Sequence, residues 1–203
     1  MFRSEITGIL LAGGKSSRMG KEKGLVEFRG KPLIQYGIDL LSSFTDRIII
    51  SSGNLDYIPF GYEIIPDEDS GQGPAAGLAA ALKSSATPWN LVLACDLPFL
   101  EREFIEELLN SSPNYQAVVP MHNGKMEPLA ALYHKNLGKI FGEAVANGNL
   151  TLRHILRSCH VNYFEAGPIT GKYPNLFTNL NSMDQIGLFN GFENSNPDAG
   201  KNH

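Results

Sequence analysis

Short β-branched apolar runs alternate with longer stretches of helical period through the first half of this chain. That alternation constrains the fold most, because parallel strands need a crossover between them, and the crossover is usually a helix. Ile6 to Leu11 reads as the first strand. Pro32 then stands where a first helical turn tolerates proline, and Leu33, Ile34, Gly37, Leu40 and Leu41 mark one helix face. Arg47 to Ser51, built around Ile48, Ile49 and Ile50, predicts a buried second strand, and Glu63 to Ile65 a short third. Gly73 and Pro74 open an alanine-rich helix that ends near Lys83. Asn90 to Ala94 is an apolar run stopped by Cys95-Asp96-Leu97-Pro98, which sets Asp96 just past the carboxyl end of a central strand. A helix over Glu101 to Ser111 follows, with Phe104, Ile105, Leu108 and Leu109 as its core stripe, and then a strand over Ala117 to Pro120.

Beyond Pro120 the rhythm loosens. Met121 to Pro128 reads as a turn-rich excursion, Leu129 to Tyr133 as the strand returning from it, and a small lobe is expected within 121–175. Asn136 to Asn147 is amphipathic, Thr151 to Ser158 helical, and Val161 to Phe164 another strand. Ser182-Met183-Asp184-Gln185 matches the reciprocal capping pattern of a helix start, so Asn181 sits at a helix mouth. The expected organisation is one domain over 1–190 with a polar tail over 191–203. No internal repeat appears.

With 203 residues, 42% of them hydrophobic, the chain can bury a core without a disulfide framework or a structural metal. Its two cysteines, Cys95 and Cys159, read as reduced thiols of a cytoplasmic protein. No run approaches the ~18 apolar residues of a membrane span. The net charge of −4 argues against a general nucleic-acid binder. Yet Lys15 to Lys31 alone carries +4, from six basic and two acidic residues, and this points to a compact anion as ligand.

The segment Leu11-Ala12-Gly13-Gly14-Lys15-Ser16-Ser17-Arg18-Met19-Gly20 follows the first strand directly. Its glycines let a ligand approach the backbone, and the exposed amides of such a loop suit phosphate oxygens. It is not a Walker loop: Gly14 and Gly20 have five residues between them where that loop has four, and they lead into Lys21-Glu22 rather than Lys-Ser or Lys-Thr. The dinucleotide fingerprint is absent as well. The five histidines show neither metalloprotease spacing nor a catalytic partnership, and Cys95, ending an apolar strand, reads as a buried filler.

Leu-Ala-Gly-Gly-x-x-x-Arg-Met-Gly at 11–20, followed by Lys23-Gly24-Leu25 and Gly30-Lys31-Pro32-Leu33, resembles the signature of the molybdenum cofactor guanylyltransferases. Further matches are Pro66-Asp67, Gly73-Pro74-Ala75-Ala76-Gly77-Leu78, Cys95-Asp96-Leu97-Pro98-Phe99, Glu127-Pro128-Leu129 and Asn179-Leu180-Asn181-Ser182. Together they cover about residues 6–189 in order. Two departures stand out. Glu22-Lys23 occupies the place of the family's Asp-Lys one residue early, and Ser51-Ser52-Gly53-Asn54 replaces an asparagine after the second strand, leaving Ser51 or Asn54 to make that nucleotide contact.

The resemblance implies an α/β, Rossmann-like three-layer fold of the nucleotide-diphospho-sugar transferase type with a mostly parallel central sheet. It implies transfer of GMP from GTP to molybdopterin, with or without bound molybdenum, and release of pyrophosphate. Arg18 and Lys23 are then the catalytic cations, the first a planar fork for phosphate and the second a point charge at the α-phosphate. Leu11, Ala12, Gly13, Gly14, Lys23, Asp67 and Asp96 would bind GTP, with Asp67 accepting from the guanine edge or orienting the loop through Gly71. Asp96 would ligate Mg²⁺, and Asn181 is similar to the residue that completes the metal and pyrophosphate region. Proteins that insert molybdenum or receive the finished cofactor would be further partners. Three alternatives stay open at this point: a molybdopterin cytidylyltransferase, a sugar-phosphate nucleotidyltransferase, and a GTP-binding module without catalysis.

Overall fold

The computed structural model describes residues 3–13, 22–66, 73–112 and 114–191. Strand β1 (Ile6–Leu11) lies inside a sheet of eight strands. A small antiparallel pair follows it, β2 (Glu27–Phe28) with β3 (Lys31–Pro32), and leads into helix α1 (Leu33–Ser42). Next come β4 (Ile48–Ser51), β5 (Glu63–Ile65), α2 (Pro74–Ser84), β6 (Trp89–Ala94) and α3 (Arg102–Asn110). The second half holds β7 (Ala117–His122), β8 (Lys125–Met126), β9 (Ala130–His134), α4 (Leu137–Ala146) and α5 (Leu152–Leu156). It closes with β10 (Val161–Glu165), α6 (Gly167–Lys172) and α7 (Met183–Gly191).

The order across the sheet is β10-β7-β9-β6-β1-β4-β5, with β8 paired to β7. The β1–β4, β1–β6, β4–β5 and β7–β10 pairs are parallel, whereas β9 runs antiparallel to both β6 and β7. Three layers result. Ile34, Ile38 and Leu41 of α1 and Phe104, Ile105 and Leu108 of α3 cover one face of the sheet. Leu78 and Leu82 of α2, Phe141 of α4 and Ile155 of α5 cover the other. A mostly parallel sheet buried on both sides is the expected α/β class. Among the described residues, no helix is long and apolar enough to cross a membrane.

The structure corrects several details. Pro32 precedes the helix instead of lying in its first turn. At φ −58° it closes the small hairpin opposite Glu27, and Leu33 donates to the Val26 carbonyl at 2.9 Å. In α1 the buried stripe runs through Ile38, while Leu40 is half-buried, because the helical repeat from Ile34 reaches 38 and 41 on the core side. Leu109 of α3 is likewise half-buried. β7 does not stop at Pro120. Asn123 (φ 50°) and Gly124 (φ 72°) form a tight turn that pairs His122 with Lys125 and Met121 with Met126. The returning strand β9 enters the main sheet between β6 and β7, and α6 was not expected. Of the expected tail, Gly191 ends α7 and the remainder lies outside the described residues.

Candidate functional site

Strands β6, β1 and β4 end level with one another, since Leu11 is in register with both Ala94 and Ser51. The backbone then extends this edge by one residue on each: Cys95 donates to the Leu11 carbonyl at 3.1 Å, Ala12 to Ser51 at 3.0 Å, and Ser52 to Ile65 at 3.1 Å. Ligands of open α/β sheets collect at such a carboxyl edge. Here it borders a cleft of about 500 Å³, lined by Leu11, Ala12, Gly13, Lys23, Ser51, Asn54, Gly73 and Asp96 among others. Gly73, at φ 72° and ψ −172°, turns the chain into α2 in a conformation open to glycine, and Pro74 follows at the head of the helix.

The centre of the edge is ionic. Lys23, which opens a short 3₁₀ turn over Lys23–Leu25, donates from Nζ to Asp96 Oδ2 and to Asn181 Oδ1. The Lys23 and Asp96 side chains are only 22% and 11% exposed, so water screens this pair little. The pairing joins residues 73 and 158 positions apart in sequence.

Each partner is held from behind. Leu180 donates to the Asp96 carbonyl at 3.0 Å, which ties the segment before α7 to the β6 edge. Ser182 Oγ accepts from the Gln185 N–H at 3.2 Å, and Gln185 Oε1 accepts from the Asn181 N–H at 2.7 Å. The capping pattern read from the sequence therefore orients Asn181 itself. Helix α7 packs on the hairpin next to Lys23 through an apolar cluster of Val26, Phe28, Leu33, Leu180 and Ile186. Phe99 bridges it, 5.7 Å from the Phe28 ring and 4.9 Å from Phe189.

Behind Lys23 lies Tyr57, fully buried, whose hydroxyl is 3.5 Å from the Ala12 carbonyl and 3.4 Å from Glu22 Oε1. Burial, reinforced by the neighbouring Cys95 and Glu22, raises its phenol pKa far above the ordinary value, so it stays neutral. A Cβ on Gly24 would stand 2.6 Å from the Tyr57 hydroxyl, so only glycine lets the Lys23 turn sit this close. Sequence reasoning missed Tyr57. Tyr57 lies in a 3₁₀ segment, Leu55–Phe60, where no amphipathic period marks it.

The structure brings Leu11, Ala12, Gly13, Lys23 and Asp96 to one cleft and adds Asn181 through Lys23. Ser51 and Asn54 line the cleft too. The Ser51 hydroxyl donates to Gly77 O at 3.2 Å, and the Asn54 side-chain oxygen accepts from the Asp56 N–H at 2.9 Å. Gly14, Arg18 and Asp67 lie outside the described residues. Cys95 is buried and its thiol is pushed up to about 12, first by burial and then by the Asp96 charge, so it is no nucleophile.

Two hard oxygens, Asp96 Oδ2 and Asn181 Oδ1, converge on a single cationic point, the Lys23 ammonium. Among the described residues no group of three or more His, Cys, Asp or Glu could cage a metal. A divalent ion shared with a triphosphate needs only one or two protein donors, so this donor set fits one.

The profile of the MobA-like NTP transferase domain matches residues 8–163, from the third residue of β1 into β10. The chain belongs to the MobA-like NTP transferase family. It is similar to the probable molybdenum cofactor guanylyltransferase of Flavobacterium johnsoniae, 34% identical over 188 residues covering 91% of this chain and 96% of that protein. The molybdenum cofactor guanylyltransferase of Vibrio parahaemolyticus is 30% identical, covering 94% and 97%. Among solved structures, the molybdopterin-guanine dinucleotide biosynthesis protein A of Archaeoglobus fulgidus superposes with a TM-score of 0.78 at 25% identity, covering 94% of this chain and all of that one. A cytidylyltransferase of Thermus thermophilus shares the fold, with a TM-score of 0.68 at 14% identity over 92% and 98% of the two chains. As a MobA-like NTP transferase, the chain is a nucleotidyltransferase with the nucleotide-diphospho-sugar transferase fold, and enzymes of this kind generally use a divalent metal.

Proposed function

We propose that this chain transfers GMP from GTP to molybdopterin, with or without bound molybdenum, giving molybdopterin guanine dinucleotide and pyrophosphate. The observation that carries the reading is the Lys23 ammonium shared by the Asp96 carboxylate and the Asn181 amide oxygen at the mouth of the cleft. A cation between two hard oxygens marks the place where charge is exchanged when a triphosphate arrives.

In this reading the acceptor's terminal phosphate oxygen forms a bond to the α-phosphorus, and the bond from that phosphorus to the β-phosphate bridging oxygen breaks. No general base is required, because a phosphate monoester is largely dianionic at neutral pH, with a second pKa of about 6. The chain's task is positioning and charge neutralisation. Lys23 leaves its two oxygen partners and meets the α-phosphate, while Arg18, in the glycine loop, offers a bidentate fork to the phosphates. Leu11 to Gly14 let the nucleotide approach the backbone, and Asp67 takes donors of the guanine edge. Asp96 and Asn181 would hold Mg²⁺, which supplies positive charge to the leaving pyrophosphate when bound. The acceptor would be received on the side of residues 121–175. The two free cysteines suit a cytoplasmic setting, where proteins that insert molybdenum or take up the finished cofactor would be partners.

The test supplies Mg²⁺ and molybdopterin with each of the four nucleoside triphosphates in turn and measures pyrophosphate. Release from GTP alone is expected. Faster release from CTP would assign the chain to the cytidylyl reaction, and no release from any triphosphate would overturn the reading.

A further inference from the structure

The transfer scheme gives work to only one of the two carboxylates in the cleft. Asp96 meets Lys23 and would ligate the metal, but Glu22 also lines this cleft, one residue before Lys23, and has no task there. Its charge is of the wrong sign for a triphosphate. Among the described side chains that line the cleft, Glu22 and Asp96 outweigh Lys23 by one negative charge. A site for a crowded anion needs that second carboxylate kept away from the phosphates, since like charges repel strongly where water is scarce.

What holds Glu22 is Tyr57. The Glu22 side chain is half-buried and does not cap the 3₁₀ turn that it precedes. Among the described residues, the donor within reach of its carboxylate is the Tyr57 hydroxyl, 3.4 Å from Oε1. That hydroxyl has one proton and two acceptors to choose between, Glu22 and the Ala12 carbonyl at 3.5 Å. The Ala12 carbonyl already receives Ser52 Oγ at 3.3 Å, and Ser52 Oγ is itself fixed by the Asn54 N–H at 3.1 Å. The proton therefore goes to the carboxylate, the stronger acceptor. Burial keeps the phenol protonated, so the donor is always present. The Tyr57 ring is shielded from solvent, and its short helix is capped by Asn54 at the start and turned by Gly61, at φ 78°, at the end. Tyr57 is thus a fixed post beneath the turn that carries Glu22 and Lys23, and it acts only through what it touches.

We propose that Tyr57 is a positioning residue for the triphosphate: its hydroxyl holds the Glu22 carboxylate against the buried wall of the cleft, so that the turn presents Lys23 to the phosphates. The proposal rests on the guanylyl-transfer reading for the nature of the anion and adds what clears the anion's path.

A double-mutant cycle tests it. Tyr57→Phe, which removes the hydroxyl alone, is made in wild type and in Glu22→Gln. The Kd of inorganic tripolyphosphate with Mg²⁺ is measured by titration calorimetry, with the GTP KM alongside. In wild type the substitution should raise both about tenfold. In Glu22→Gln it should change them by less than about twofold, because an uncharged amide released into the cleft does not repel phosphate. Equal losses in both backgrounds would mean that the hydroxyl serves something other than Glu22, and no loss in wild type that Glu22 needs no restraint; either result overturns the inference. So does a Tyr57→Phe protein that circular dichroism finds unfolded in both backgrounds, or a wild type that binds no tripolyphosphate. A wild type that binds tripolyphosphate yet releases no pyrophosphate from GTP defeats guanylyl transfer instead, and the tripolyphosphate cycle still decides Tyr57.

Discussion

The two ends of strands β1 and β6 handle polarity in opposite ways. At the amino end the buried groups are neutral and answer one another: the Thr7 and Thr87 hydroxyls lie 2.7 Å apart, Thr87 Oγ1 donates to Trp89 O at 2.9 Å, and Asn90 Nδ2 donates to Tyr133 O at 3.3 Å. Among the described residues, Asn90 Oδ1 alone is a buried side-chain polar atom without a partner. At the carboxyl end of the same strands the groups gathered are Lys23, Asp96 and the amide of Asn181. Neutral hydroxyls can be satisfied locally and sealed under a core. Charges held at a cleft remain responsive to what enters it. Under the proposed function, the amino end serves stability and the carboxyl end serves exchange with ligands.

The contrast breaks most sharply at the carboxyl end. Lys23→Ala and Asp96→Ala should each lower GTP-dependent pyrophosphate release by about 10²- to 10³-fold, while circular dichroism shows the fold intact. Wild-type rates in both variants would remove these residues from the chemistry. A subtler effect is expected of Lys23→Met in the absence of nucleotide. It leaves two oxygens without their cation, so Mn²⁺ binding followed by electron paramagnetic resonance should tighten on the order of tenfold. Weaker binding than wild type would mean that the ammonium does not compete for that position. The smallest change is at the other end, where Thr87→Val should cost about 1–2 kcal/mol in chemical denaturation and leave kcat and KM alone. A loss of activity there would erase the division between the two ends.

Much of this division could be read from residues in order. The apolar runs at Ile6 to Leu11 and Asn90 to Ala94, each stopped by turn-forming residues, define β1 and β6 and hence the place of Asp96. Ser182 and Gln185 announce the start of α7 because capping is local chemistry. The insertion of β9 against its neighbours was not legible, since period-2 patterning says where a strand is and not which strands flank it. The Asn123-Gly124 pair did carry a hairpin signal, one that a turn-rich stretch concealed. At the site, the resemblance grouped Lys23, Asp96 and Asn181, but spacing alone could not show that one ammonium touches both oxygens. That contact depends on the Phe28–Phe99–Phe189 packing and on Tyr57 beneath Gly24, both long-range consequences of the fold.

Asn181 travels with α7, whereas the sheet edge it completes is assembled from residues that leave the ribosome far sooner. A growing chain can pair β1, β4 and β6 while Lys23 still has only Asp96 to hold it. The contact that joins Lys23 to Asn181 thus forms late in synthesis, as the aromatic clasp shuts over the hairpin.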